Sequence, residues 1–259
     1  MNAATFSRRA FLSLAAAVLA SPATAAPPAT GLPPNILQVI AGTADSWDSN
    51  RGRIQLFERA SASAPWQPAF PKPIPVLFGR NGLAWGNGCL PVPHGQNSIP
   101  SKREKDRRAP AGLFRLGTLY GDAPNPPKGV RWPWHQVTAR DCWIDDPANP
   151  SYNRHVSVDL ANPPPWYEKQ KMRLGDFAYE FLLEIRHNSD SPVPGHGSAI
   201  FFHIRRGPDK PSAGCTTMAR PDLLRLLARL NPAARPHYVL LPKAEYTARI
   251  APWRLPPLP

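Results

Sequence analysis

Cys215 stands in the stretch Ser212-Ala213-Gly214-Cys215, and His203 lies twelve residues earlier in the run Ala199-Ile-Phe-Phe-His203-Ile204. A cysteine nucleophile needs a base to take its proton, donors to hold an oxyanion, and a reachable sulfur. His203 is the candidate base. The Gly207-Pro208 pair lets the chain turn back and bring Cys215 beside it. The backbone N–H groups of Gly214 and Cys215 are candidates for the oxyanion hole, and a glycine there permits close approach. Ser212 is placed to orient the histidine or to contact substrate. A small buried cysteine beside a satisfied core histidine fits the same residues, and spacing alone leaves both readings open.

Strands must carry these groups. Ile36–Ile40, Arg53–Glu58 and Ile74–Phe78 read as strands, the last ended by the turn Gly79-Arg-Asn-Gly82. Leu113–Tyr120, Trp134–Thr138, Tyr179–Arg186, Ala199–Ile204 and Tyr238–Leu241 follow. One helix is clear: Pro221-Asp222 suits a first turn, and Leu223, Leu226, Leu227 and Leu230 recur at helical spacing before Asn231-Pro232. Residues 83–110 form a long polar loop insertion with the charge run Lys102-Arg-Glu-Lys-Asp-Arg-Arg108, a candidate lid that would exclude water. The whole predicts one mainly-β domain over 36–250 with few helices and long Pro-rich loops, then a Pro-rich tail over 251–259.

Composition agrees. The chain of 259 residues holds 35 prolines and 17 glycines, below the roughly 25–30% of disordered low-complexity chains. Proline sits better at strand edges and in loops than inside helices. The formal charge of +13 favours polyanionic partners. Residues 1–25 read as an export signal: Ser7-Arg-Arg-Ala-Phe-Leu12 is a twin-arginine pattern, a short apolar stretch follows, and Ala23-Thr-Ala25 suits cleavage. Residues 26–35 read as a linker. Export predicts a periplasmic protein with no membrane insertion once the signal is removed. It turns the charge toward anionic envelope polymers, peptidoglycan first, and away from nucleic acid.

At this point the sequence resembles a known family. His203 followed by Ser212-Ala213-Gly214-Cys215 and Met218 is similar to the signature of the L,D-transpeptidase catalytic domain (YkuD type), a strand-borne histidine followed by Ser/Thr-His-Gly-Cys. Gly79–Gly82, Arg103-Glu104 with Asp106 and Pro110–Phe114, Asp145–Arg154, and Gly197–His203 resemble further family stretches in the same order, over roughly residues 36–245. The resemblance implies a β-sandwich with short helices, no metal and no cofactor. It implies cysteine acyl transfer on peptidoglycan stem peptides as donor and acceptor, with Cys215 forming a thioester and His203 acting as base, then acid. Two positions depart from the pattern: Ala213 replaces a histidine and Thr217 an arginine. Arg205, Arg206 or Lys210 are the candidates to supply the missing charge, so acceptor and linkage, 3-3 or 1-3, stay open.

Tyr152, Asn153 and Arg154 lie in the family-like loop; Tyr152 and Arg154 are candidate substrate contacts, with a structural loop as the equal alternative for all three. His196 is a candidate substrate contact beside the site. Cys89 and Cys142 could pair in an oxidising compartment, leaving Cys215 as the odd thiol. His94, His135, His155, His187 and His196 are scattered, with no metal-ligand spacing. Three rivals to a transpeptidase stand: an L,D-carboxypeptidase or hydrolase with the same nucleophile, a non-catalytic peptidoglycan-binding protein, and, last, a secreted nucleic-acid binder.

Overall fold

The computed structural model describes residue 1, residues 31–92 and residues 98–259. Residues 2–25 of the expected export signal, residues 26–30 of the linker and His94 lie outside the described residues. Among the described residues, thirteen strands run in chain order: β1 (Gln38–Ala44), β2 (Arg51–Glu58), β3 (Gln67–Pro68), β4 (Ile74–Leu77), β5 (Leu83–Trp85), β6 (Ala109–Gly121), β7 (Trp134–Gln136), β8 (Asp141–Trp143), β9 (His155–Ser157), β10 (Leu182–Ile185), β11 (Phe201–Ile204), β12 (Thr216–Met218) and β13 (His237–Pro242). Three α-helices join them: α1 (Tyr167–Gln170), α2 (Arg220–Arg229) and α3 (Lys243–Trp253). None of the described helices is long and apolar enough to cross a membrane.

The protein is mainly β, as its composition predicts. The order β1-β13-β6-β10-β11-β12-β4-β2 returns to β1, because β1 pairs with β13 on one side and β2 on the other. The sequence predicted a β-sandwich. The pairings instead describe one main sheet that closes on itself, barrel-like, and do not divide it into two facing sheets. β8 and β9 form a separate two-stranded ribbon.

Alternation along the strands sorts side chains between two apolar clusters. On β11, Phe202 and Ile204 enter the main core, while Phe201 joins a smaller cluster with Tyr120, Val137, Trp143 and Leu182. On β12, Met218 takes the main-core side, and Cys215, one residue before the strand, packs against the smaller cluster. The helix α2 lies where its leucines predicted it. Leu223, Leu226 and Leu227 are buried, and Asp222 sits in the first turn, where the helix dipole favours an acid.

Three elements differ from expectation. The 83–110 stretch opens with β5, which pairs in parallel with the start of β6. The loop-rich region after 140 holds the β8–β9 ribbon. The expected boundary at 250 cuts through α3, and the expected tail packs inward: Trp253 and Leu255 are buried, and the Leu32 N–H donates to the Trp253 carbonyl at 2.9 Å. Pro252 hid this helix, since proline reads as a stop signal in sequence, yet here it lies inside the last turn of α3.

The Gly79 turn ties two distant segments together. Ser212 N–H donates to the Phe78 carbonyl and Arg80 N–H to the Ser212 carbonyl, both at 2.9 Å. A Cβ at Gly79 would fall 2.4 Å from the Arg107 carbonyl oxygen and 2.7 Å from the Ala109 nitrogen, both backbone atoms. Gly79→Ala is therefore expected to lower stability by about 1–3 kcal/mol and to disturb the turn carrying Ser212. Urea unfolding checks the first effect, and the alkylation rate of Cys215 checks the second. An unchanged urea midpoint would mean that the backbone here can yield.

Candidate active site

β11 and β12 run parallel, with His203 opposite Thr217 and Phe202 opposite Thr216. Period-two alternation then puts His203 and Cys215 on the same face of neighbouring strands, as diagonal neighbours. Both line one cavity of about 450 Å³, together with Ser212, Gly214 and Thr217. Its remaining walls include Lys102, Glu104, Asp145, Tyr179, Arg206 and Lys210.

Backbone contacts hold the sulfur. Phe201 N–H donates to Cys215 Sγ at 3.4 Å, and Sγ lies 3.5 Å from the Ala199 carbonyl. Ala199 has a φ of 54°, a left-handed conformation that disfavours a side chain. Asn153 makes that conformation hold. Its Oδ1 accepts from Ala199 N–H at 3.0 Å and from the Trp143 indole at 3.2 Å. Its Nδ2 donates to the carbonyls of His187 and Asn188 at 2.9 and 2.8 Å. All four hydrogen-bonding positions of one buried amide are filled.

Ser212 does something other than orient the histidine. Its Oγ donates to the Cys215 carbonyl at 2.6 Å and accepts from Gly214 N–H at 3.0 Å. It braces the turn that presents the sulfur. The Gly214 N–H is thereby committed, so of the expected oxyanion pair the Cys215 N–H is the remaining donor. Gly214 itself is needed for close approach: a Cβ there would meet the Arg108 carbonyl oxygen at 3.0 Å and Ile200 Cδ1 at 3.3 Å.

The histidine's tautomer follows from its bonding. His203 Nδ1 lies 2.9 Å from the Ile204 carbonyl, an acceptor, so Nδ1 carries the proton and Nε2 the lone pair. Tyr179 packs edge-on against the ring, with centroids 5.1 Å apart. Burial pulls the His203 pKa down to about 4, against the opposing pull of the Ile204 and Ala178 carbonyls. Burial pushes the Cys215 thiol up to about 11, opposed by the Phe201 N–H and by the positive charge of Lys102. Thiol and imidazole are therefore both neutral near pH 7.

Lys102 is a residue that sequence reasoning missed as a site member. It is 4% exposed, and its Nζ donates to Asp106 Oδ1 and to the Arg103 carbonyl, each at 2.6 Å. Asp106 also accepts from the N–H groups of Arg103 and Arg108, both at 2.8 Å, so one carboxylate folds the charge run into a tight loop. Within the expected lid, this loop is the part that lines the cavity, through Lys102, Glu104 and Lys105. Asp106 lies within its charge run, which was the available signal.

The other sequence candidates lie elsewhere. Tyr152 is buried and donates to Glu104 Oε2, which also accepts from Ser198 Oγ at 2.8 Å. Tyr152 and Arg154 line a separate shallow pocket with Pro147, Pro192 and Pro194. His196 contacts His187 through its carbonyl and does not line the Cys215 cavity, and neither does Arg205. Arg206 and Lys210 of the same loop do. The Arg206 guanidinium pairs with Asp176 at 2.5 Å. Cys89 and Cys142 are both free thiols, the first exposed and the second buried beside Ile144 and Val158, so the suggested bridge is not formed. The histidines are less scattered than their spacing implies: His135 and His155 both meet Asp141.

Two outcomes follow from this geometry. Asn153→Ala strips four bonds from buried groups and is expected to cost about 2–4 kcal/mol in chemical denaturation. It should also speed alkylation of Cys215 as Ala199 relaxes, and a change near zero would show that water replaces the amide. In a Cys89→Ser background, alkylation of Cys215 followed by peptide mass spectrometry should rise steadily from pH 7 to 10 without a plateau. Lys102→Met removes the nearby charge that favours the thiolate, raising the thiol pKa further and slowing alkylation. At a fixed pH below the pKa, a thiol whose pKa is higher by about one holds about tenfold less thiolate.

The geometry sets a cysteine and a histidine on one face of a β-scaffold, at the wall of one cavity. No curated protein and no solved structure matches the chain. The family model described as "L,D-transpeptidase catalytic domain" (YkuD) matches residues 74–239, more than half of the chain, and spans β4 through the first half of β13, including His203 and Cys215. The family acts on peptidoglycan peptides. The chain belongs to the L,D-transpeptidase catalytic domain (YkuD) family.

Proposed function

We propose that this protein is an exported, periplasmic L,D-transpeptidase that cross-links peptidoglycan stem peptides through Cys215. The observation that carries the reading is the shared cavity of Cys215 and His203, set on one face of a parallel strand pair. The Nε2 lone pair of His203 takes the thiol proton as Sγ attacks the carbonyl between an L-centre and the following D-residue. Because both groups are neutral at rest, proton transfer accompanies attack and does not precede it. The Cys215 N–H faces the developing oxyanion. The imidazolium returns its proton to the departing amine, leaving a thioester. The amine of a second stem peptide then attacks, His203 again taking and returning the proton, and the free thiol is restored.

The cavity wall suits such a substrate. Lys102, Arg206 and Lys210 offer positive charge to stem-peptide carboxylates, and Glu104 and Asp145 offer negative charge to amines. Arg206 and Lys210 stand in for the arginine that Thr217 replaces. The net charge of +13 would draw the protein to an anionic wall polymer.

The test is mass spectrometry of muropeptides after incubation of the protein, with the signal removed, with tetrapeptide-rich sacculi. New dimers, absent with Cys215→Ala, are expected, and fragmentation would name the linkage. Tripeptides without dimers would assign water as the acceptor and make the protein a hydrolase. No change dependent on Cys215 would overturn the enzymatic reading for this substrate. His203→Gln is expected to lower dimer formation by at least about 10²-fold, the usual scale for a general base.

A further inference from the structure

We propose that His135, Asp141 and His155 form a binding site for one divalent transition-metal ion of the zinc class, separate from the Cys215 cavity. The three residues come from three strands: His135 from β7, Asp141 from the start of β8, and His155 from the start of β9. His135 Nε2 lies 2.9 Å and His155 Nε2 2.8 Å from the same oxygen, Asp141 Oδ1. The three ligand atoms all fall within 4.8 Å of one another. None of the three residues lines the Cys215 cavity.

Two features make this a built site. The carboxylate is aimed. Asp141 is 3% exposed, and its other oxygen, Oδ2, accepts from the Thr138 N–H at 2.7 Å and the Thr138 hydroxyl at 2.8 Å. Such outer bonds are what orients a ligating carboxylate. The site is also reachable, since the imidazoles are 39% and 22% exposed. Two imidazoles and one carboxylate suit zinc and its neighbours over calcium or magnesium, which prefer all-oxygen shells. Three protein ligands leave a fourth position for water.

The ion would act on the fold. β7 belongs to the main sheet, where it pairs with β6, whereas β8 and β9 form the separate ribbon. The ribbon leads directly into the turn holding Asn153, whose amide fixes Ala199 beside the Cys215 sulfur. Tyr120 packs against both imidazoles, with ring centroids 5.5 and 5.2 Å away, and also against Phe201, whose N–H reaches that sulfur. A bound ion would thus clip the ribbon to the sheet behind the wall of the candidate active site.

Calorimetric titration of the metal-stripped protein with Zn²⁺ tests the proposal, with Co²⁺ spectra to report the donor atoms. One ion per chain is expected, with Co²⁺ bands of nitrogen and oxygen ligation and no thiolate charge-transfer band. His135→Ala removes the most exposed ligand and is expected to weaken binding at least tenfold, on the scale by which even outer-shell changes weaken metal sites. His155→Ala should do the same. Zn²⁺ should raise the melting temperature of the wild type but not of either variant, by linkage. The Cys215→Ser variant should bind as the wild type does. Absence of saturable binding, affinity unchanged in both histidine variants, or a thiolate band lost in Cys215→Ser or Cys89→Ser would overturn the proposal. The cluster would then be a carboxylate holding two imidazoles by hydrogen bonds alone.

Discussion

The parallel pairing of β11 with β12 is the constraint on which the site depends. A parallel pair needs a crossover between its strands, and here residues 205–215 supply it. That connection passes through the Gly79 turn, where Ser212 is bonded on both sides of its backbone. The same register that sends Phe202, Ile204 and Met218 into the main core leaves His203 and Cys215 together on the opposite face. A slip of one residue would exchange the faces and take the two groups apart. Burial of the apolar partners is therefore what specifies the geometry of the reactive ones.

The electrostatics of the cavity oppose its chemistry at rest. Desolvation holds both the thiol and the imidazole in their neutral forms. The compensating features are small and directed: one backbone N–H on the sulfur, one carbonyl fixing the imidazole tautomer, and one lysine held by Asp106. This arrangement keeps the resting thiol slow to oxidise, because the neutral form reacts slowly. Reactivity depends on what enters the cavity and displaces water.

Parts of this architecture were legible because their signals are local. Helix α2 follows from four leucines at helical spacing, and β11 from an apolar run ending in histidine. The role of Ser212 was also readable in principle, since serine hydroxyls bond to backbone groups two and three residues ahead in tight turns. The bonding of Asn153 and the His135–Asp141–His155 cluster were not legible, whereas Lys102 is held by bonds within its own charge run. The bonds that place the first two span 10 to 46 residues for Asn153, and strands from separate sheets for the cluster. No periodicity encodes such meetings. The family-like loop at 145–154 was held evenly between substrate contact and structure for Tyr152, Asn153 and Arg154, and the structural alternative is the one Asn153 follows, bonded to Ala199 and Trp143.

The closed path of strand pairings sets how a partner can arrive. Strands in a ring have no hinge of their own, since separating any two strands would break a ladder whose ends are already joined elsewhere. The frame beneath Cys215 is thus a fixed anvil, and adaptation to whatever enters the cavity falls to the loops at its rim. Those loops carry the charges: Lys102 to Arg108 on one side, Arg206 to Lys210 on the other. For the substrate proposed above, the free end of a donor stem peptide would enter past these loops, and their charges would decide which stems are held.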